Sequence, residues 1–382
     1  MDFSFTDEQL SIRDAARKFA EAELAPGYAE REQSARIPRE LILNMGQLGL
    51  IGVDLPESAG GLGADSVTAG IVTEEIARAD INVAYVQLLA SLNGSVLATH
   101  ARAEVAQRMI PAICEGEIIV ALGLTEPRGG SDAANLACRA HRNDQGFAIN
   151  GEKTSISMAT TADHVILFAR TGDSGAKGVS AFVAPLNVEG VSRIAFKDVG
   201  SQAVGRGSLF FDNVKIGHDT LLGDEGAGFR QVMQGFDYSR ALIGLQVLAP
   251  AEKSLEETWQ HICEREAFGG PIARFQGVTE PLAEASTLLE AAKMMCYRTL
   301  WLRDQGLPHT REAAMCKWWA PKVAFDTIHQ CLLLHGHSGY STDLPHQQRL
   351  RDVLGLQIGD GTAQIQKMII ARETIGRIAL PY

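Results

Sequence analysis

The chain has 382 residues, 46% hydrophobic and 21% charged, with 35 basic against 46 acidic side chains and a formal charge of −11. Such a composition fills one large core or two to three smaller ones, and 38 glycines with 13 prolines exclude collagen-like and disordered readings. The negative balance excludes a whole-chain footprint for nucleic acid, disfavours an anionic membrane leaflet, and accompanies a sequence without the ~20-residue apolar run that a bilayer requires.

The amino terminus, M-D-F-S-F-T-D-E, lacks the basic and apolar regions of a secretory signal. The six cysteines, at 114, 138, 263, 296, 316 and 331, are widely spaced and form no C-x-x-C pair. They read as reduced thiols, with no metal site, and the expectation is a soluble, cytoplasmic protein.

In chain order, the first ~120 residues read as helical. Thr6 and Gln9 have the spacing of a capping box, followed by Ile12, Ala15, Ala16 and Phe19 at helical intervals. A glycine-rich break at 58–63 precedes helices expected over 66–78 and 83–114. Near Glu117 the pattern turns to short β-type runs at 118–124, 165–169, 179–183 and 209–211, with Asn150-Gly151 as the hairpin signal. From Gly228 helical periodicity returns. There Val278, Leu282, Ala285, Leu289, Ala292 and Cys296 form a narrow seam suited to packing on other helices or on another subunit. The layout predicts an α+β protein, mostly α: a helical unit over 1–118, a small β unit over 119–227 and a second helical unit over 228–382.

Three segments carry candidate chemistry. The first, Leu122 to Asp132 (L-G-L-T-E-P-R-G-G-S-D), leaves a strand with small and hydroxyl-bearing residues that admit a ligand close to the backbone. It is equally well a surface turn. The second, Gly151 to Ser157, offers hydroxyls to a ring nitrogen or is an exposed strand end. The third, Ile358 to Gln366, sets Asp360 between two glycines before the last helix, as a general base or as a helix N-cap. There is no P-loop, no H-E-x-x-H, no G-x-S-x-G, and no G-x-G-x-x-G following a strand.

Taken together, these segments resemble the acyl-CoA dehydrogenase family of flavoproteins over nearly the whole chain. The resemblance is carried by D-F-S-F-T-D-E-Q (2–9), L-G-L-I-G-V-D-L-P-E-S-A-G-G-L-G (48–63) and E-E-I-A-R-A (74–79). Further along come T-E-P-R-G-G-S-D (125–132), R-E-A-F-G-G-P-I-A-R-F-Q (265–276), L-H-G-H-S-G-Y (334–340) and L-R-D (350–352). It implies a helical domain, a β-barrel-like domain and a four-helix bundle, assembled as a homotetramer. It also implies FAD, an acyl-CoA substrate, and an electron-transfer flavoprotein as acceptor.

Carried over by position, Leu122, Leu124, Thr125, Gly130 and Ser131 would line the flavin ring, with Ile156 and Ser157 at its N5 region. Arg265, Phe268 and Gln276 would reach FAD held mainly by a neighbouring subunit, and His335, Gly336, Thr362 and Gln364 would complete that pocket. Ser131, Asp237, Tyr238, Arg240 and Gly361 would contact substrate. Asp360 would take the substrate α-proton while the β-hydride goes to the flavin, the thioester oxygen being held by a flavin ribityl hydroxyl and by the base's own N–H.

Three departures bear on the substrate. Asp360 stands where the family usually has glutamate, Ser239 stands where some members carry the base, and Ser155 replaces an aromatic residue beside the flavin. His337 also stands in place of a glycine. A base one methylene shorter points to a branched or ring-bound α-carbon, and to cyclohexane-1-carbonyl-CoA first. Short 2-methyl-branched acyl-CoAs come next; a nitroalkane oxidase-like flavoprotein and an inactive acyl-CoA- or flavin-binding protein are the alternatives.

Overall fold

The computed structural model describes residues 3–379; the chain ends, including Asp2 of the first motif, lie outside the described residues. The amino-terminal part is helical: α1 (Asp7–Phe19), α2 (Tyr28–Ser34), α3 (Arg39–Gln47), α4 (Ser66–Ala79), α5 (Ala84–His100) and α6 (Ala103–Cys114). The capping box at α1 forms as expected, with Gln9 N donating to Thr6 Oγ1 at 3.2 Å and Thr6 N to Gln9 Oε1 at 3.0 Å. The single helix expected over 83–114 is instead two. Ala101 is extended (φ −74°, ψ 158°), which lets α5 run buried through the core while α6 folds back with one apolar face inward. Neither glycine nor proline marks that break, so it was not visible locally.

The middle part is one sheet of eight strands: β1 (Val120–Gly123), β2 (Arg139–Asn143), β3 (Gly146–Ile156), β4 (His164–Arg170), β5 (Val179–Pro185), β6 (Val191–Ala195), β7 (Gly207–Gly217) and β8 (Leu221–Leu222). The order is β6-β7-β3-β2-β4-β5-β8, with β1 parallel to β4. Asn150-Gly151 is not a hairpin turn. It lies inside β3, where the register against β7 shifts between Ile149 and Gly151, and the turn is at Asn143–Gly146 instead. Gly151 has φ 141°, and a Cβ there would meet the backbone of Cys138, just ahead of β2, at 2.8 Å. The glycine therefore allows a close approach to the chain beside it, opposite a bulge that β7 carries at 212–213.

The carboxy-terminal part comprises α7 (Gly228–Glu264), α8 (Gln276–Asp304), α9 (Thr310–Leu334), the single turn α10 (His337–Tyr340), α11 (His346–Gly355) and α12 (Ala363–Ile375). The expected seam is the inner face of α8: Leu282, Ala285, Leu289, Ala292 and Cys296 are buried, and Val278 packs beside them. The whole is an α+β architecture with three parts, mostly helical. All three parts meet at one carboxylate. Asp352, on α11, accepts from Tyr28 Oη (2.7 Å), Asn82 Nδ2 (3.0 Å) and Ser201 N (2.5 Å). Among the described residues, no helix is long and apolar enough to cross a membrane.

Candidate active site

Asp360 sits in the turn between α11 and α12, in the left-handed region at φ 53°. It is not the N-cap: that position is Thr362, whose side chain makes no capping hydrogen bond. The half-buried carboxylate accepts one side-chain hydrogen bond among the described residues, from Ser239 Oγ on α7 at 3.0 Å. Ser239 thus supports the carboxylate from the neighbouring helix. The backbone N–H groups of Asp360, Gly361 and Thr362 donate to no protein group among the described residues. Such groups just ahead of a helix N-terminus suit a carbonyl or anionic oxygen.

Arg240, beside Ser239, is buried. Its guanidinium donates to Asp237 Oδ1 at 2.9 Å while its Nε finds no partner among the described residues. Burial pulls its pKa down, and Asp237 and Asp360 act against that fall. Tyr85 of α5 is buried as well; burial pushes its hydroxyl pKa well up, Arg206 acts against the rise, and Asp360 adds to it. A tyrosine in a long apolar helix gave no signal in the sequence.

The second group gathers at the end of β1. Thr154 N donates to Thr125 O at 2.9 Å, which joins the segment 122–131 to the end of β3. Beneath it lies a buried ion pair. Lys153, 0% exposed, donates to Leu124 O (3.1 Å) and Glu126 Oε1 (2.7 Å), and Glu126 also accepts from Ala137 N and Cys138 N. Burial works against the Glu126 charge, yet Lys153 and the two amides hold its pKa below the ordinary carboxylate value. The clue to Lys153 is its place in phase with Phe147 and Ile149 on the buried face of β3. The hydroxyls of Thr125, Ser131, Ser155 and Ser157 have no protein partner among the described residues and remain available to a ligand. The Ile156 side chain is buried in the core, which leaves its backbone for a ligand.

A third group lies at the other end of the helical bundle. The link from Arg265 to Phe275 folds on itself, with Ile272 N donating to Arg265 O at 2.9 Å. Phe268, at its tip, is 90% exposed with φ 52°, and Gln276, also exposed, opens α8. His335 ends α9, followed by Gly336 at φ 60°, and its ring stacks on His261 (centroids 4.0 Å) and lies against His346 (4.4 Å). Burial and the adjoining imidazole lower His335 and His346 to about 4 each. No hydrogen bond, ion pair or ring contact joins this group to the β1 group among the described residues. Thr362 and Gln364 stay with Asp360, at the start of α12. His337 is exposed at the start of α10.

Family models for the acyl-CoA dehydrogenase N-terminal, middle and C-terminal domains match residues 6–117, 121–214 and 226–375 in turn. The chain belongs to the acyl-CoA dehydrogenase family. It is 34% identical over 377 residues to benzylmalonyl-CoA dehydrogenase of Aromatoleum aromaticum, covering 98% of this chain and 99% of the relative. It is 32% identical over 371 residues to a subunit of the caffeyl-CoA reductase–Etf complex of Acetobacterium woodii, covering 96% and 98%. The structure of butyryl-CoA dehydrogenase from Megasphaera elsdenii is similar with a TM-score of 0.95 at 30% identity, covering 98% of this chain and 100% of that one.

This acyl-CoA dehydrogenase is therefore an FAD-dependent oxidoreductase acting on CH–CH donors. The residues present fit the cofactor: four unpartnered hydroxyls lie on the loop after β1 and at the end of β3, Lys153 holds Leu124 and Glu126 beneath them, and Gly129 has open space on its Cβ side. Tyr238, expected at the substrate, is held by partners inside the protein. Its hydroxyl donates to Asp54 Oδ2 at 2.8 Å and its ring lies under Arg303 at 3.7 Å, so the side chain is committed inside the protein.

Proposed function

We propose that this acyl-CoA dehydrogenase oxidises cyclohexane-1-carbonyl-CoA to cyclohex-1-ene-1-carbonyl-CoA, with Asp360 as the base that takes the α-proton. The observation that carries this reading is the Asp360 turn: a carboxylate with one hydroxyl donor and an adjacent free N–H. The single bond from Ser239 aims the carboxylate while leaving lone pairs for the incoming proton. The N–H of Asp360 would bond the thioester oxygen, where negative charge gathers as the proton leaves. Ser131, Asp237, Tyr238, Arg240 and Gly361 would lie at the CoA side of the substrate.

FAD would be held by Leu122, Leu124, Thr125, Gly130, Ser131, Ile156 and Ser157. From a second copy it would be held by Arg265, Phe268, Gln276, His335 and Gly336, with Thr362 and Gln364 completing the pocket; when bound it supplies the acceptor for the β-hydride. That Arg265, Phe268 and His335 stand apart from the β1 group within one chain supports a homotetramer in which a neighbour completes the site. The similarity to a subunit of an Etf complex supports an electron-transfer flavoprotein as acceptor, and six free cysteines support a cytoplasmic location. Domain boundaries at 118/119 and 227/228 complete this reading.

Substrate shape follows from the side chain. Aspartate withdraws the carboxylate by about 1.5 Å, one C–C bond, relative to glutamate, which leaves room for an α-carbon carried in a ring or bearing a methyl branch. The test is anaerobic bleaching of the flavin absorbance by cyclohexane-1-carbonyl-CoA, 2-methylbutyryl-CoA and butyryl-CoA, with the product identified by mass. The cyclic thioester is expected to bleach fastest. Faster bleaching by butyryl-CoA overturns the substrate, and a protein bleached by none of the three overturns the dehydrogenase reading of this site.

A further inference from the structure

Lys317, on α9, is 1% exposed and is not explained by the site as described so far. Its Nζ donates to a single acceptor among the described residues, the carbonyl of Leu356 at 2.6 Å. Burying an ammonium against a neutral carbonyl is unfavourable, and methionine would fill the same volume without a charge. The residue is therefore poorly explained as packing.

The place of Leu356 supplies the explanation. It is the first residue past α11, and its carbonyl is among those a helix end leaves unpaired. Four residues later the chain reaches Asp360. Between them, Gly355 O accepts from Ile358 N and from Gly359 N, both at 3.1 Å. On the far side, Gln366 Nε2 donates to Asp360 O (2.9 Å) and Gly361 O (3.2 Å). The turn is thus clamped by Lys317 at its start and by Gln366 at its end, and between the clamps Asp360 holds a left-handed backbone. A non-glycine residue keeps such a conformation only where its surroundings impose it. The charge has a counterpart too: burial pulls Lys317 down to about 8, the Asp360 carboxylate acts against that fall, and Arg240 of α7 adds to it.

We propose that Lys317 is a positioning residue for the Asp360 base, its ammonium pinning the Leu356 carbonyl and thereby fixing the turn that delivers the carboxylate to the substrate. The proposal rests on the reading of Asp360 as the base, and it assigns Lys317 no contact with substrate or flavin.

The experiment uses the FAD-loaded enzyme and four variants: Lys317→Met, Lys317→Gln, Asp360→Asn and the double variant Lys317→Met/Asp360→Asn. Readouts are flavin content, melting temperature, and kcat and KM in a dye-linked assay with whichever of the three thioesters above turns over fastest. Lys317→Met should keep its flavin and a melting temperature close to wild type. Its kcat should fall about 10- to 100-fold, as sub-ångström to 1 Å displacements of a base do, with KM changed less than about threefold. Lys317→Gln, which keeps an N–H donor, should recover part of that loss, and it carries the test if the methionine variant does not fold. In the Asp360→Asn background Lys317→Met should cost nothing further, because a residue acting through the base has no effect once the base is gone. Unchanged kcat in Lys317→Met, or a loss that multiplies with that of Asp360→Asn, overturns the proposal while leaving the base in place. A fully active Asp360→Asn enzyme overturns the base and this inference with it.

Discussion

Asp352 and Asp360 stand eight residues apart at the carboxy-terminal end of the bundle, and the fold treats them in opposite ways. Asp352 is buried and accepts from Tyr28, Asn82 and Ser201, one donor from each of three separate stretches of chain. Asp360 is half-buried and accepts from Ser239 alone among the described residues, with its own N–H unused. Burial raises Asp352 to about 6, against the pull of its three donors. The lesson is that residue type does not set a carboxylate's role. Lone pairs already filled by the protein hold structure together, whereas lone pairs left open are free for a ligand.

The largest effect expected from breaking this contrast is catalytic. Asp360→Asn should lower the rate of anaerobic flavin bleaching by about 10²–10⁴-fold, the usual loss on removing a general base, at an unchanged melting temperature. Asp352→Ala should do the reverse. Three buried donors lose their acceptor, so urea denaturation should show a loss of about 3–5 kcal/mol, while the folded enzyme keeps a near-normal kcat.

A smaller effect lies in the pH dependence. The folded protein holds the Asp352 proton up to about pH 6, against an ordinary value of 3.8. That proton's contribution is fully present below the ordinary value and lost as pH rises through 6. In Asp352→Asn, whose amide does not titrate, the stability deficit relative to wild type should shrink by up to about 3 kcal/mol between pH 4 and 6. A gap that stays constant over that range would show that Asp352 ionises normally. Ser239→Ala should have the smallest effect, changing kcat less than about tenfold and stability by about 1 kcal/mol, because it removes one aiming bond and leaves the base.

The sequence displayed what local chemistry decides. The Thr6–Gln9 cap and the α8 seam need only neighbours three and four residues away, and both formed as expected. What escaped was decided across the chain. The break at Ala101 follows from how α5 and α6 share the core, and Asn150-Gly151 has the composition of a turn but the surroundings of a bulge, which only β2 and β7 reveal. At the candidate site, a base and an N-cap look alike along the chain. The structure removes the cap, because Thr362 occupies it, and it brings a hydroxyl from α7 to the carboxylate. Lys153 and Lys317 were missed for one reason: a lysine reads as surface until the buried groups that accept from it are seen.

The clamp of Lys153 on Glu126 and Leu124 has a consequence for ligand uptake. Arg128-Gly129-Gly130 is the stretch that composition marks as most pliable, yet it is anchored on its amino-terminal side, with Gly129 N donating back to Glu126 O at 2.9 Å. A ligand that must order a loose loop loses about 1–2 kcal/mol of backbone freedom for each residue it immobilises, and its affinity falls accordingly. At Leu124 and Glu126 the buried ion pair has already removed that freedom during folding. These two residues form a preformed edge, and a ligand docking against them would lose little further backbone freedom.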